Sequence, residues 1–464
     1  MSVTNLIEQL KKLDVKLSLD GNDLSVDAPQ GVLTKDLISK LKENKSAVIA
    51  YLKAQGRSPI MTIAKLQAKA VTAARSLPAK IVDDRNETGS SNILLTGVTG
   101  FLGTFLLREL LQQTEANIYC LTRAKDVNSA RDRIKKNLQL YLLNDGIDWN
   151  RIIPVLGDLS QQDLGMTPEV YAHLAQNINA IYHNGALVHH ATPYHLLEST
   201  NVLGTRLILQ FACKQKIKPV HFISTISVFN FDSTSRTIVV KESDSIEKYH
   251  APLGGYAQSK WVGERLVQIA GDRGLPITIH RIGPVSGSSE TGVFNQSDFL
   301  YRLILGYAHL GSAPAGEMLL DILPVDFVAK TIVYISQQES SWGKAFHLIH
   351  KQPASSNLLF DRLDAAGYSI ARVSYQKWYE QLISIANNFQ DHILYPLVSL
   401  FSANNSGEAQ NKSFNLKFDC HNVSEGLAKS SFDCPLINAK LIDTYISYLT
   451  EQNLLYISSK TISE

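Results

Sequence analysis

Two residues four apart, Tyr256 and Lys260, could together handle a proton. On a helix that spacing puts them on one face. A tyrosine ordinarily loses its proton near pH 10. A neighbouring ammonium favours phenolate, which brings the acid nearer neutrality. Such a pair can protonate an oxygen that is gaining negative charge. Thr225, just after the apolar run Val220-His221-Phe222-Ile223-Ser224, is the candidate second donor, with Ser224 as the adjacent alternative. The YxxxK spacing is common on helices by chance, so its weight depends on what precedes it.

Far upstream, Thr96-Gly97-Val98-Thr99-Gly100-Phe101-Leu102-Gly103 follows the apolar run Ile93-Leu94-Leu95 and leads into a helix-compatible run from Phe105 to Leu111. That context turns a glycine-rich match into a candidate dinucleotide site. Gly97 suits the tight turn, Gly100 a close backbone approach to a pyrophosphate, and Gly103 close helix packing. Thr96, Thr99, Phe101 and Leu102 complete the cradle. The helix N-terminus would then meet the anionic phosphates. A loop of this kind joined to a Tyr/Lys acid implies reduction of a carbonyl by a nicotinamide cofactor.

The tip of the second strand selects between NAD and NADP. Here Tyr119-Cys120-Leu121-Thr122 ends in Arg123, Lys125 follows, and the first acid, Asp126, comes three residues after Arg123. Cations there suit a 2′-phosphate, so NADPH is expected. Asp158 and Leu159 close the third strand, where a carboxylate could accept from the adenine amino group. Asn184, Gly185 and Ala186 close the fourth, beside the nicotinamide half, and Asn201 opens a helix in Asn-Val-Leu-Gly-Thr. Arg281 and Gly283 end the sixth strand near an expected cleft. Those two, with Ser224 and His189, are the candidates for lining the substrate site. His183, His189, His190 and His195 cluster in sequence, but neighbouring strand residues point to opposite faces, so no metal is assigned to them.

The elements that must position these groups alternate. Candidate strands at 93–96, 118–122, 152–156, 180–183, 219–224 and 277–281 are separated by helical patterns. Alternation of this kind predicts an α/β fold, a Rossmann-type doubly wound parallel sheet over residues 92–295. Residues 296–464 would form a smaller, mainly helical substrate domain that also supplies segments completing the sheet. Residues 55–91 would connect, with one amphipathic helix carrying Ile63, Leu66, Ala70 and Ala74 and a polar loop at 83–91.

Residues 1–54 form a separate small α+β unit. Leu6, Ile7, Leu10 and Leu13 share a helical face. Val15, Leu17 and Leu19, the turn Asp20-Gly21-Asn22-Asp23, and Leu24, Val26 and Ala28 then alternate as a hairpin. Thr34 is a candidate cap for a helix carrying Leu37, Ile38 and Leu41, and Ser46 for a last helix.

The totals bound the answer. A chain of 464 residues exceeds one ordinary core. A net charge of +2 is far from the basic excess of nucleic-acid-binding proteins. Four scattered cysteines show no metal spacing and suit a reducing compartment. The N-terminus lacks signal-peptide order, and no apolar run reaches membrane-spanning length, so a cytoplasmic protein without membrane contact is expected.

Two resemblances sharpen this. The hairpin followed by APQGVLTKDLISKLKENKSAVIAYL resembles the TubC-type N-terminal docking domains of nonribosomal peptide synthetase and polyketide synthase subunits, over residues 3–53. In that family the hairpin accepts the C-terminal tail of the upstream subunit as an added strand. GVTGFLG, HNGALVHH, NVLGT, FISTISV, GGYAQSKWVGE and HRIGPVSGSSETG resemble the thioester reductase domains of nonribosomal peptide synthetases, over about residues 62–454. Carboxylic acid reductases and fatty acyl-CoA reductases are relatives. The resemblance implies NADPH-dependent reduction of a thioester on the phosphopantetheine arm of a carrier protein, giving an aldehyde or, after a second hydride, an alcohol. An acyl-CoA or free-carbonyl reductase and a non-catalytic docking adaptor are the alternatives. The docking-like N-terminus disfavours the first, and the intact Tyr256, Lys260 and glycines disfavour the second.

Overall fold

The computed structural model describes residues 16–20, 23–27, 37, 40, 45, 61–82, 92–189, 192–231, 238–296, 298–316, 318–388 and 416–455. The expected helix of Leu6 to Leu13, the loop at 83–91 and His190 lie outside the described residues.

The hairpin is present. Strand β1 (Lys16–Asp20) pairs antiparallel with β2 (Asp23–Asp27), with Asp20 opposite Asp23. Leu37, Lys40 and Lys45 are helical, with Leu37 buried.

Helix α1 (Ile63–Ala74) begins at Thr62, whose hydroxyl accepts from the Lys65 amide. It is more than a connector. Leu66, Ala70 and Ala74 are fully buried, and the first two pack with Trp261 and Val262. Lys69 Nζ lies 2.6 Å from Glu198 Oε1. Beyond the helix, Arg273 donates to the carbonyls of Ala74 and Leu77, and the Ile81 amide donates back to the Arg273 carbonyl at 2.7 Å. Residues 61–82 are thus built into the body that follows.

That body alternates as expected: β3 (Asn92–Thr96), α2 (Phe101–Gln113), β4 (Asn117–Thr122), α3 (Val127–Leu140), β5 (Ile152–Leu156), α4 (Pro168–Asn177) and β6 (Ala180–His183). Next come α5 (Tyr194–Glu198), a π-helical turn (Ser199–Leu203), α6 (Gly204–Ala212), β7 (Val220–Thr225), β8 (Ile238–Val240), α7 (Gly255–Asp272) and β9 (Ile277–Ile282). Helices α8 (Phe299–Leu310) and α9 (Val325–Ser336) follow, then β10 (Ala345–Leu348), α10 (Ser356–Ala365), α11 (Tyr375–Asn388), β11 (Leu416–Phe418) and α12 (Ala439–Glu451).

Seven of these strands form one parallel sheet, ordered β10-β9-β7-β6-β3-β4-β5. Alternation along β3 shows how both faces are covered. Leu94 joins Phe222, Ile277, Ile208, Phe211 and Leu266 on one side. Ile93 and Leu95 join Phe105, Leu106, Val328, Ile332 and Phe346 on the other. Strand β10, outside the six expected strands, supplies the edge beside β9, with Ala345 opposite Ile279 and Leu348 opposite Ile282. The strand order reverses between β3 and β6, where doubly wound sheets open a crevice at their C-terminal edge.

Candidate active site

The glycine turn leaves β3 at that reversal. Gly97 has φ +72°, and a Cβ there would lie 2.8 Å from the Gly185 Cα. A Cβ on Gly103 would lie 1.9 Å from the Gly97 carbonyl oxygen, so the first turn of α2 can approach β3 only with glycine at that position. Gly100 is the N-cap of α2 and supplies no side-chain cap. The first-turn amides are therefore not covered by a side chain and suit an anion. Thr104 braces the turn by donating to the carbonyls of Gly100 and Val98. This cradle fits a dinucleotide pyrophosphate.

A buried polar relay fixes the neighbouring strand end. The Gly185 amide donates to Thr96 Oγ1 at 2.8 Å, and Thr96 Oγ1 lies 2.9 Å from His183 Nδ1. His183 Nε2 lies 3.0 Å from Thr205 Oγ1, which donates to the Asn201 carbonyl at 2.8 Å. The hydrogen bonds are all satisfied when Nε2 carries the proton and Nδ1 accepts from Thr96. Burial, with Lys260 nearby, holds His183 near pKa 3, so it stays neutral. Asn184 Nδ2 donates to the Gly97 carbonyl at 3.3 Å, and Ala186 follows, half-buried.

Arg123 is exposed at the tip of β4. Lys125 is also exposed, 3.9 Å from Asp126. Asp126 caps α3, accepting from the Ser129 amide at 2.7 Å. A third cation joins them that sequence reasoning missed: the Arg133 guanidinium donates to the Arg123 carbonyl. Its signal was the burial period of α3, where Ala130, Ile134 and Leu138 face inward and leave Arg133 outside. At the next strand, Asp158 Oδ1 accepts from the amide and hydroxyl of Ser160, both at 2.8 Å. Leu159 is buried in the core, in the space that side chains on Gly185 and Gly204 would need.

The residues expected to handle a proton lie on α7. Gly254, φ +81°, admits the chain to the helix. Tyr256 is half-buried, and burial pushes its phenol up to about 12 rather than toward neutrality. The expected help from Lys260 is spent elsewhere. Lys260 Nζ donates to the Ile223 carbonyl at 2.7 Å and sits 4.1 Å from the Phe222 ring centroid. Burial brings this lysine down to about 7, while Glu264 acts in the opposite sense. Thr225 ends β7, half-buried; its Oγ1 accepts from the Ser227 amide at 3.2 Å.

Several expected contact residues have other work. Asn201 is 2% exposed in the π-helical turn. It accepts from the Leu187 amide at 2.8 Å and donates to the Leu187 carbonyl and to Ser259 Oγ, while Ser259 donates to the Tyr256 carbonyl. It therefore braces α7 through Ser259. Ser224 and Arg281, expected to line the substrate site, are both buried against Glu264. Ser224 donates to Glu264 Oε2 at 2.5 Å, and Arg281, 1% exposed, pairs with Glu264 Oε1 at 2.8 Å. Gly283 is half-buried at the end of β9, its amide donating to the Leu348 carbonyl at 2.8 Å. His189 is exposed in the loop after β6, with Nδ1 2.8 Å from Thr192 Oγ1. Among the described residues no three His, Cys, Asp or Glu side chains gather as a metal site would, and no helix is long and apolar enough to cross a membrane.

Known proteins can be set beside this geometry. Residues 95–332 match the family model described as male sterility protein, an NAD-binding family, and residues 3–54 match that of the TubC N-terminal docking domain. The chain is 38% identical over 370 residues to a linear gramicidin synthase of Brevibacillus parabrevis, covering 79% of this chain and 7% of that protein. The chain spans 23% of the glycine betaine reductase of Emericella nidulans, also 38% identical. Among solved structures, the terminal R domain of the myxalamid PKS-NRPS pathway superposes with a TM-score of 0.76 at 37% identity, covering 85% of this chain and 99% of that one. The reductase domain of a nonribosomal peptide synthetase from Mycobacterium tuberculosis follows at 0.68 and 27%, covering 85% and 100%. With its glycine turn, its seven-stranded parallel sheet and the Tyr256–Lys260 face of α7, the chain belongs to the family of nonribosomal peptide synthetase reductase domains, oxidoreductases that use a nicotinamide cofactor.

Proposed function

We propose that the protein releases an acyl or peptidyl chain from a carrier protein by reducing its phosphopantetheine thioester to an aldehyde, with NADPH as the reductant. The observation that carries this reading is the joining of the Tyr256–Lys260 face to an N-terminal segment, residues 3–54, that matches a docking domain. The glycine turn and the uncapped α2 would hold the pyrophosphate, and Arg123, Lys125 and Arg133 would meet a 2′-phosphate. The bound nicotinamide supplies hydride to the thioester carbon. Tyr256 and Thr225 donate to the oxygen as it becomes an oxyanion, where donors count most. Tyr256, held protonated by its burial, supplies the proton, and collapse of the hemithioacetal returns a carrier thiol and an aldehyde. Lys260 orients the ribose and carries the balancing positive charge. The further step to an alcohol uses the same groups.

Delivery rests on residues 1–54. The β1–β2 hairpin has open edges to which an extended tail of the upstream synthetase can add a strand. Tethering raises the effective concentration of the carrier to about millimolar. Because α1 begins at Ile63, deletion of residues 1–54 spares the reductase body. The deletion should leave reduction of a small soluble acyl thioester intact. It should raise the apparent KM for the carrier-bound substrate on the upstream synthetase, with aldehyde and NADPH oxidation measured together. Equal performance on both substrates would remove the docking role, and no aldehyde from any thioester would remove the reductase role.

A further inference from the structure

Glu264 lies one turn beyond Lys260, so Tyr256, Lys260 and Glu264 follow one another at i, i+4 and i+8 on α7. Its side chain is fully buried, as is that of Arg281. Glu264 Oε1 accepts from Arg281 Nε at 2.9 Å and from Nη2 at 2.8 Å, and Oε2 accepts from Ser224 Oγ at 2.5 Å. Arg281 Nη1 donates in turn to the Glu242 carbonyl at 3.2 Å and to His347 Nε2 at 3.0 Å. His347 can accept there because its Nδ1 lies 2.9 Å from the Asp419 carbonyl, which takes the proton-bearing nitrogen. One carboxylate thus joins α7 to the residue before Thr225 and, through Arg281, to β9, β10 and the segment after β11.

We propose that Glu264 is a positioning residue for the reduction: its buried carboxylate fixes the end of β7 through Ser224 and keeps the Lys260 ammonium charged. This inference rests on the roles given above to Tyr256, Thr225 and Lys260. Burying an ion pair is not an economical way to hold strands together, since apolar side chains of similar volume often do as well. The charge inventory explains why the pair is kept. Lys260 faces the Ile223 carbonyl and the Phe222 ring from β7 and neutral His183 from β6, with Tyr256 and Glu264 one turn before and after it on its own helix. Arg281, from β9, is turned to Glu264, and His347 beyond it is held neutral by burial and by Arg281 itself. Of these groups around Lys260, Glu264 is therefore the carboxylate. Without it, two buried cations would share the site. Arginine does not give up its proton, so Lys260 would.

The test is the pH profile of the full-length protein reducing a soluble acyl thioester, with thermal unfolding checked for each variant. In E264Q the alkaline limb of kcat should move at least one pH unit toward acid, with kcat on the acid plateau lowered less than about tenfold. S224A keeps the charge, so its limb should stay in place while kcat falls at every pH. Should E264Q fail to fold, E264Q/R281M removes both buried charges and should still move the limb toward acid, because Lys260 has lost its carboxylate, but by less than one pH unit, because the second cation has gone with it. A limb that stays put in a folded Glu264 variant overturns the proposal. Tyr256→Phe measured alongside separates the two readings: full activity in that variant sinks the catalytic assignment itself, whatever the Glu264 variants do.

Discussion

The turn after β3 and the surroundings of Lys260 lie on the same edge of one sheet, yet they are made of different materials. Around Gly97 the structure presents main chain, with Gly97, Gly100, Gly103 and Gly185 packed so closely that a single Cβ on Gly103 would fall 1.9 Å from a carbonyl oxygen. Around Lys260 the backbone is ordinary helix and strand, and the side chains of Glu264, Arg281, Ser224, Asn201 and Ser259 form the structure. The first kind of site is intolerant of added atoms. The second is intolerant of lost or gained charge. Substitutions in the two should therefore fail differently.

The largest effect is expected at the glycine turn. Gly103→Ala should reduce cofactor affinity by more than about a hundredfold or prevent accumulation of folded protein, because strain against backbone cannot be relieved by a rotamer change. Cofactor fluorescence titration and thermal unfolding would show this, and a variant with normal affinity would break the contrast. Next is Tyr256→Phe, which should bind cofactor normally and lose about a hundredfold or more in kcat. Parallel loss of binding would place Tyr256 in the first kind of site. Arg123→Ala should be milder, removing most of an NADPH-over-NADH preference of at least about tenfold, as a charge-assisted contact is worth roughly 1.5–3 kcal/mol. Equal wild-type affinity for the two cofactors would undo that assignment.

The smallest effect is on stability. Burial lowers the Lys260 ammonium to a pKa of about 7 when folded, against 10.5 when free, so the folded chain sheds that proton first as pH rises. Between those values the unfolded chain binds the extra proton, so wild-type stability should rise with pH relative to Lys260→Met. Each unit of difference is worth about 1.4 kcal/mol at most. Denaturant melts at pH 7 and pH 9 would measure it, and parallel slopes would mean that the lysine is solvated.

The same contrast explains what could be read from the sequence. Six strands and the glycine turn were legible because their signals are local: apolar runs of strand length, and glycines three apart. The hairpin at Lys16–Asp27 was legible for the same reason. Strand β10 was not, because its place beside β9 and the burial of His347 depend on partners at Arg281 and Asp419 that lie far away in sequence. Ser224, Arg281 and Asn201 were assigned to ligands because they sit at strand ends or helix starts, where ligands bind. What the sequence did not show is that each also has a side-chain partner within the fold, 40, 17 and 58 residues away. Glu264 escaped notice because nothing local distinguishes it from a solvent-facing glutamate. The raised phenol of Tyr256 was missed because desolvation is a property of the packed neighbourhood.

The edge position of β10 also bears on how the chain is made. The ribosome delivers β9 first, and the strand that covers its side follows only after α8 and α9 have been synthesised, at Ala345–Leu348. At about 5–20 residues per second, that leaves several seconds in which β9, buried along its whole length in the finished protein, has an open flank. A nascent chain in that interval carries a strand with one unpaired edge, able to recruit a neighbour on the same polysome. The sheet thus cannot be completed strictly from its beginning to its end: its edge is closed late, by a short segment.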